Sequence, residues 1–354
     1  MDLSIIIPGC NEWPQNAFTI QAVRDNIGDR LEYEIIYVEN GDYKPENLQT
    51  VTDAANHVIP QGVGANRKDG LWAKFTDEQR LAVLQYLALW QQGTPQNIPN
   101  VPNVRYREYR DNLSHWQAKN AGVRIARGDV LLFLDAHVLP SRGSIPSMYQ
   151  YFMANQEELH GTLHLPVMYM NDKDGRELIY ALVYKPKVGE FTYRFTRLKT
   201  RDAVHTVPCM STCGMMISKH LLKTVLGGWP KTIGIYSGGE QFINGALAVT
   251  GHKVNIWPFG RLYHYAYHRL YHFNYDDLTK NRLTAAYVAL GEEWMRAYQR
   301  NRKGDSSVIL GCANHVLREN KEHRALIEAS TIITPEEWAA QQPEEYVVKE
   351  RPDE

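Results

Sequence analysis

The residues best suited to chemistry follow a strongly apolar run, Asp129-Val130-Leu131-Leu132-Phe133-Leu134. Asp135 and His137 come next, two residues apart, so a carboxylate and an imidazole lie on the same side of the chain. Such a pair suits a divalent cation such as Mn²⁺, which accepts both kinds of ligand. A cation there could stabilise negative charge that develops on a leaving group. An Asp at a strand end can also simply cap the next turn, so the pair by itself leaves both interpretations open.

Polar residues also follow two other apolar runs near the start of the chain. The run 3–8 continues through Glu12, and the run 33–38 continues into Glu39-Asn40-Gly41-Asp42. Ligands of parallel α/β sheets bind beyond the carboxyl ends of the strands. We therefore expect these ends to share one site with Asp135, although Glu39 and Asp42 could instead be turn residues.

Strand and helix patterns alternate in the part of the chain that carries these residues. The predicted elements are strand 3–8, helix 16–27, strand 33–38, strand 104–109, helix 114–126 and strand 129–134. This alternation predicts an α/β fold with a parallel sheet and right-handed crossovers. The second half is mixed, with a β-rich basic stretch at 190–201 and helices predicted at 219–226, 241–250 and 277–302.

Two regions lie outside this alternation. Residues 59–103 form a long insertion with one amphipathic helix, 77–90, which either contacts a partner or covers the edge of the sheet. After residue 276 the chain turns helical and ends in an acidic, Pro-containing tail that we expect to be loose. The predicted division is a domain over 1–275 and a helical extension over 276–354.

The composition is that of an ordinary folded protein. The 354 residues are 44% hydrophobic and 22% charged, and the net charge of −1 gives no overall attraction to nucleic acid or an anionic membrane. The four cysteines lack paired zinc spacing, which favours a reduced protein. No apolar run reaches the ~18 residues of a membrane span, and no signal-peptide pattern precedes the first strand. We therefore expect a cytoplasmic protein without a membrane span.

Four sequence blocks resemble the nucleotide-sugar domain of GT-A glycosyltransferases, family 2 in particular. They are Ser4-Ile5-Ile6-Ile7-Pro8 with Asn11-Glu12, and the runs 35–42, 112–122 and 131–137. Where the family has VDDGS, this chain has Val38-Glu39-Asn40-Gly41-Asp42. Where the family has ARNAG, it has Ala118-Lys119-Asn120-Ala121-Gly122. The resemblance implies a GT-A fold, a Rossmann-like, mostly parallel central sheet flanked by helices, and a nucleotide-sugar donor.

One branch of these enzymes is more similar than the rest. Asp135-Ala136-His137 resembles the Asp-x-His motif of polypeptide N-acetylgalactosaminyltransferases, and the segments 207–218, 227–241 and 252–264 resemble further segments of the same enzymes. The resemblance implies that Asp135, His137 and His264 bind Mn²⁺ or Mg²⁺. Without it, His264 would be interpreted as part of a packed aromatic and basic run.

The resemblance also implies roles around the donor. Glu39 would face the base or ribose and Lys119 the base or phosphates, although Lys119 could be a solvated helix lysine. Gly238, Gly239 and Glu240 would meet the sugar, since glycines allow close backbone approach; Glu240 could also be a first-turn carboxylate of a helix. The implied donor site further includes Pro8, Asn11, Glu12, Asp135 and Gly214, and the implied catalytic residues are Asp135, His137, Glu240 and Arg269.

The expected function is metal-dependent transfer of a sugar from a nucleotide-sugar, UDP-linked, to a hydroxyl. Gln241 stands where inverting family 2 enzymes carry an Asp base, which favours retention of the anomeric configuration. The acceptor stays open between a glycan, a protein hydroxyl and a hydroxymethylated DNA base. The basic stretch containing Arg194, Arg197, Lys199 and Arg201 is compatible with nucleic acid.

Two other functions stay open. A sugar nucleotidyltransferase would need a Gly-rich, Arg- or Lys-bearing first loop to hold a triphosphate, which Pro8-Gly9-Cys10-Asn11-Glu12 lacks. A nucleotide-sugar-binding module without turnover is the other. The intact ligand set of Asp135, His137 and His264 argues against such a binding module. Only an assay of turnover separates a binding module from a transferase.

Overall fold

The computed structural model describes residues 1–10, 12, 15–41, 101–169, 174–264 and 273–348. The strands are β1 Leu3–Gly9, β2 Tyr33–Glu39, β3 Val104–Glu108, β4 Val130–Phe133, β5 Val138–Pro140, β6 Gly161–His164, β7 Val167–Tyr169, β8 Glu177–Lys185, β9 Glu190–Arg197, β10 His205–Val207, β11 Met215–Ser218, β12 Lys253–Ile256, β13 Leu262–His264 and β14 Val347–Val348. The α-helices are α1 Gln15–Ile27, α2 His115–Ile125, α3 Ser144–Ala154, α4 Gln156–Leu159, α5 Gly239–Val249, α6 Tyr275–Ala285, α7 Glu292–Asn301, α8 Ser306–Glu319, α9 Lys321–Ser330 and α10 Pro335–Ala340.

An eight-stranded sheet forms the centre of the molecule, in the order β10-β12-β6-β11-β4-β1-β2-β3. Strands β4, β1, β2 and β3 are parallel, and β11 joins them to the rest by antiparallel pairing. Every residue of β1, β2 and β4 is buried, because apolar runs in a parallel sheet are covered on both faces. The predicted α/β fold is confirmed, and the carboxyl ends of β1, β2 and β4 meet at one edge.

A second sheet stands beside the first, in the order β14-β8-β7-β13-β5, with β9 paired to β8. The long hairpin of β8 and β9 is antiparallel and turns through a short 3₁₀ helix, Pro186–Val188. Strand β13 is parallel to β7 and antiparallel to β5. The second sheet thus brings residues from distant parts of the chain beside the loop that follows β4.

The turn after β2 is tied to the start of α2 by side-chain hydrogen bonds. Ser114 caps α2, its hydroxyl accepting from the Gln117 backbone N–H at 3.1 Å. The Asn40 side chain accepts from the Ser114 N–H at 2.7 Å and donates to the carbonyls of Tyr109 and Asn112 at 3.0 and 2.9 Å. These bonds fix the edge of the sheet where the polar residues collect.

The helical segments near the carboxyl end differ from the sequence prediction. The predicted helix 277–302 is divided into α6, a π-helical segment Ala286–Leu290, and α7, with Gly291 between them at φ 109°. Such a positive φ is readily adopted only by glycine, so the break lies there. The predicted helix 219–226 is a π-helical segment, Leu221–Val225.

The expectation of a loose tail is wrong as far as residue 348. Helix α10 forms and β14 pairs with β8, because Trp338 and Tyr346 are buried in the same apolar cluster as Phe133 of the central sheet. Residues 42–100, which include most of the predicted insertion and its helix, lie outside the described residues. All four cysteines are free. In the described part of the chain, no helix has the length and apolar character needed to span a bilayer.

Candidate functional site

A cavity of about 730 Å³ opens at the carboxyl ends of the parallel strands. Pro8 and Gly9 at the end of β1, Asn40 after β2 and Asp135 after β4 line one side. The second sheet and α5 line another with Val167, Tyr169, Tyr180, Thr192, Tyr193, Phe195, His264, Glu240 and Gln241. Its volume and mixed polar and aromatic lining are those of a small-molecule site.

Three side chains able to bind a metal meet in this cavity. Asp135, His137 and His264 each offer one ligand atom, and these atoms lie within 4.8 Å of one another. His264 arrives through strand pairing, because β13 places it opposite Val138, the residue after His137. Its Nε2 lies 3.5 Å from a carboxylate oxygen of Asp135, and its ring centroid lies 4.7 Å from that of His137. The structure therefore brings together the three residues that the resemblance implied.

The surroundings of this cluster fit a metal. Nδ1 of His137 lies 2.6 Å from a carboxylate oxygen of Glu12, the contact that orients many metal-binding histidines. Nδ1 of His264 is buried and has no hydrogen-bond partner among the described residues. Burial lowers the pKa of His264, which keeps the imidazole neutral as a ligand must be. A donor set of one carboxylate and two imidazoles can bind a divalent transition-metal ion.

Asp135 is held in its charged form. Burial alone would raise the pKa of its carboxyl, but the hydrogen bond with His264 and the nearby Lys119, His115 and His137 outweigh burial and hold the pKa well below its usual range. Nε2 of His115 lies 3.7 Å from Asp135. The carboxylate is therefore ionised at neutral pH and can bind a cation.

Glu240 lies in the first turn of α5, as its alternative interpretation predicted, and also faces the cavity. Its carboxylate accepts hydrogen bonds from the hydroxyls of Tyr193, of Ser211 at 3.1 Å and of Tyr180 at 3.4 Å. The rings of Tyr180 and Tyr193 stack with their centroids 3.9 Å apart. Burial raises the pKa of Glu240. Three hydroxyls thus orient this carboxylate.

Lys119 is not the solvated helix lysine of its alternative interpretation. It is fully buried rather than solvated, and it lies beneath the cavity rather than on its surface. Its ammonium donates to the Thr212 hydroxyl at 2.8 Å and lies 4.8 Å from the Trp116 ring centroid. Burial lowers the pKa of Lys119. The Lys119 side chain does not line the cavity, although its charge acts on the nearby Asp135.

Of the other described residues implied for the donor site, two line the cavity and four do not. Pro8 and Glu12 line the cavity, whereas Glu39, Gly214, Gly238 and Gly239 do not. Glu39 is 3% exposed and accepts from the Tyr37 hydroxyl at 2.8 Å and the Gly41 N–H at 2.7 Å. Gly214 and Gly238 adopt φ of 86° and 83°, which glycine adopts most readily. Asn11 and Arg269 lie outside the described residues.

Sequence reasoning missed several residues that line the cavity. They are His115, Trp116, Tyr169, Tyr180, Tyr193, Phe195, Ser211 and Arg282. Tyr193 and Phe195 alternate along β9, a signal that one face of this strand is occupied. No local pattern points to His115 or Ser211, since their neighbours in the cavity are distant in sequence.

Known proteins resemble this chain in part of its sequence and in its fold. Residues 91–226 match the family model described as Glycosyl transferase family 2. The fold is similar to that of GalNAc-T7, solved with UDP, GalNAc and Mn²⁺, with a TM-score of 0.58 and 16% identity over 91% of this chain and 57% of that one. It is also similar to S. aureus TarS residues 1–349 in complex with UDP-GlcNAc, with a TM-score of 0.47 and 11% identity over 91% of this chain and 73% of that one.

No curated protein matches the chain. The chain spans 57% of the length of GalNAc-T7. At 16% identity, the likeness to that protein is one of fold alone. The family model and the shared architecture agree with the resemblance carried by the four sequence blocks. Residues 91–226 are thus similar to family 2 glycosyltransferases, and the fold is that of the GT-A glycosyltransferases.

Proposed function

We propose that this protein transfers a sugar from a UDP-sugar to an acceptor hydroxyl and that the transfer depends on a divalent cation. The observation that carries the proposal is the convergence of Asp135, His137 and His264 within 4.8 Å in one cavity. When bound, Mn²⁺ or Mg²⁺ would neutralise the diphosphate and stabilise charge on the leaving nucleotide. The UDP and Mn²⁺ in the GalNAc-T7 structure support this choice of donor and metal.

Glu240 is proposed to orient the donor sugar. A carboxylate offers about four lone-pair sites, and the three hydroxyls of Tyr180, Tyr193 and Ser211 use three of them. One site is left to accept from a sugar hydroxyl that enters the cavity. Because its protein partners already fix the carboxylate, little ordering is needed when the sugar binds.

The proposed step retains the anomeric configuration. The acceptor oxygen forms a bond to the anomeric carbon on the face from which the diphosphate departs with its electron pair, and the hydroxyl proton passes to the departing phosphate oxygen. Gln241 cannot take this proton, and its side chain is engaged: its carbonyl accepts from the Gly238 N–H at 2.8 Å. NMR coupling of the anomeric proton tests the step, and a β-linked product from an α-linked donor would overturn it.

Nucleotide binding tests the metal site. We would titrate fluorescent UDP with excess Mn²⁺ or with chelator, using the unchanged protein, Asp135→Ala and the exposed control Asp29→Ala. We expect Mn²⁺-dependent binding in the unchanged protein and the control, and its loss in Asp135→Ala. Equal binding with chelator, or in Asp135→Ala, would contradict the proposed role of the metal.

A further inference from the structure

A second, separate pocket lies at the open end of the β8–β9 hairpin, away from its turn. It encloses about 490 Å³ and is lined by Gly175, Glu177, Leu198 and four arginines, Arg176, Arg197, Arg201 and Arg261. We call it the arginine pocket. None of its residues lines the donor cavity, so the proposed donor site gives it no role.

A buried carboxylate organises the arginine pocket. The Glu177 side chain is 8% exposed and forms ion pairs with Arg201 and with Arg261, the second at 2.8 Å. A carboxylate that binds two guanidinium groups fixes their positions and leaves their other N–H donors for a ligand. Glu177 therefore holds the guanidinium groups of Arg201 and Arg261 together on one side of the pocket.

The pocket keeps an excess of positive charge. Arg176 and Arg197 lie 3.7 and 3.8 Å from the exposed Asp174. The lining of the arginine pocket thus holds four guanidinium groups and one carboxylate, that of Glu177, with the exposed Asp174 beside Arg176 and Arg197. Burial and the charge of Arg261 both lower the pKa of Arg201, as expected where cations are crowded. An anion would relieve this repulsion.

Strand β9 connects the arginine pocket to the donor cavity. Tyr193, Phe195 and Arg197 alternate along one face, the first two lining the cavity and the third lining the arginine pocket. At about 3.3 Å per residue, Arg197 lies about 13 Å along the strand from Tyr193, which bonds Glu240. Phe195 stands between them and is 47% exposed. Strand β9 thus leads from the carboxylate of Glu240, past the exposed ring of Phe195, to the arginine pocket.

We infer that the acceptor is a single-stranded nucleic acid with a backbone phosphate in the arginine pocket and a base stacked on Phe195. The inference rests on the proposed transferase function, for which it names the acceptor class. Guanidinium groups bind phosphate through paired N–H donors, and an exposed aromatic ring stacks on the face of a base. A phosphodiester chain without bases would use the arginines but would offer no ring to stack on the exposed face of Phe195, so the combination favours nucleic acid.

Oligonucleotide binding tests the arginine pocket. The probe is a fluorescent single-stranded 12-mer, titrated at several salt concentrations against the unchanged protein and Arg176→Gln/Arg197→Gln. Each lost phosphate contact lowers the slope of log binding constant against log salt concentration by about 0.7. The two substitutions should therefore make the slope shallower by about 1.4, which corresponds to about 25-fold weaker binding at 0.1 M salt. Glu177 keeps Arg201 and Arg261 as partners, so the double variant should fold.

The matched control is Lys187→Gln/Arg300→Gln, which removes the same charge from two exposed residues outside both pockets. We expect less than about a twofold change in the control, because screening limits such distant charges at 0.1 M salt. Equal losses in both double variants, or no loss in Arg176→Gln/Arg197→Gln, would overturn the inference.

The role of Phe195 is tested with a 12-mer that lacks its bases, and with Phe195→Ala. Loss of a base stacked on the ring weakens binding by at least about fivefold, so the unchanged protein should prefer the intact strand by that factor and Phe195→Ala should lose the preference. Equal binding of the two strands by the unchanged protein would overturn the inference and indicate a base-free phosphodiester instead.

A failure here is distinguishable from a failure of the proposed function. Asp135 lies outside the arginine pocket, so Asp135→Ala should bind the 12-mer as the unchanged protein does while losing Mn²⁺-dependent UDP binding. Metal-dependent UDP binding without arginine-dependent oligonucleotide binding would refute the nucleic-acid acceptor alone. Oligonucleotide binding without any metal-dependent UDP binding would refute the transferase proposal instead.

Discussion

Replacing Glu12 with Gln is predicted to weaken the proposed metal site without removing a ligand. Its carboxylate lies 2.6 Å from Nδ1 of His137, and the two side chains are 12% and 18% exposed. A carboxylate in this position accepts the N–H of the Nδ1 tautomer, which leaves Nε2 of His137 as the proposed ligand atom. A Gln amide can present its N–H₂ to the same nitrogen and favour the opposite tautomer.

The size of the effect follows from this geometry. Loss of an oriented partner of a metal-binding histidine costs about 10- to 100-fold in metal affinity, or about 1.4 to 2.7 kcal/mol. Because Asp135 and His264 stay in place, the site should be weakened and not abolished. We therefore expect the Mn²⁺ Kd of Glu12→Gln to rise by about one to two powers of ten, between the unchanged protein and Asp135→Ala.

Isothermal titration of the apoprotein with Mn²⁺ at constant pH measures this effect directly. Glu157→Gln, an exposed carboxylate on α4, is the matched control and should leave the Kd unchanged. An unchanged Kd in Glu12→Gln, alongside lost binding in Asp135→Ala, would refute the reasoning about His137. Binding that survives in Asp135→Ala would refute the site itself.

Three further predictions concern the shell around the site. Burial lowers the pKa of His164 to about 3, so the folded state cannot take up the proton that the unfolded state binds below about pH 6.5. The free energy of unfolding should therefore fall by about 1.6 kcal/mol between pH 6.5 and 5, and His164→Gln should lack that part of the pH dependence. Tyr193→Phe removes a hydroxyl donor from Glu240 and should lower the free energy of unfolding by about 1.5 kcal/mol, with Mn²⁺ affinity unchanged. Gly239→Ala brings a methyl group to 2.1 Å from the ring of Trp116 and should cost about 1 to 3 kcal/mol by overpacking.

Urea denaturation checks all three, with a separate comparison for each. The same acid slope in His164→Gln would contradict the assigned titration, and a loss of Mn²⁺ affinity in Tyr193→Phe would show that the two halves of the cavity are coupled. Gly311→Ala is the control for Gly239→Ala, since an added methyl group at Gly311 meets nothing within 4 Å. Within helix α8 it should stabilise the protein by about 0.5 to 1 kcal/mol.

Local patterns predict the elements that form the sheet edge. β1, β2 and β4 follow from short apolar runs that end at Pro, Gly or Asp, and α2 from a capping Ser followed by a helical pattern. The spacing of Asp135 and His137 after a buried strand raises the possibility of a cation site, but a capping role fits the same spacing and only the resemblance separates the two. The wrong expectations fall where tertiary contacts decide, as with the tail that Trp338 and Tyr346 anchor.

The rest of the site depends on contacts between distant segments. His264 joins Asp135 only through the register of β13 against β5, which periodicity does not encode, and the resemblance alone pointed to it. Lys119 looks like a solvated helix residue because its cage of Trp116 and other rings comes from three separate segments. The hydroxyl cluster around Glu240 needs β8 and β9 to pack on α5 and was not predicted.

The most direct test of metal-dependent donor use is nucleotide release from a panel of UDP- and GDP-sugars. Each donor would be incubated with Mn²⁺ or with chelator, using the unchanged protein, Asp135→Ala and Asp29→Ala. We predict release from a UDP-sugar that requires Mn²⁺, is lost in Asp135→Ala and is kept in Asp29→Ala. Release that persists with chelator or in Asp135→Ala, or no release from any donor, would contradict the proposed metal-dependent transferase.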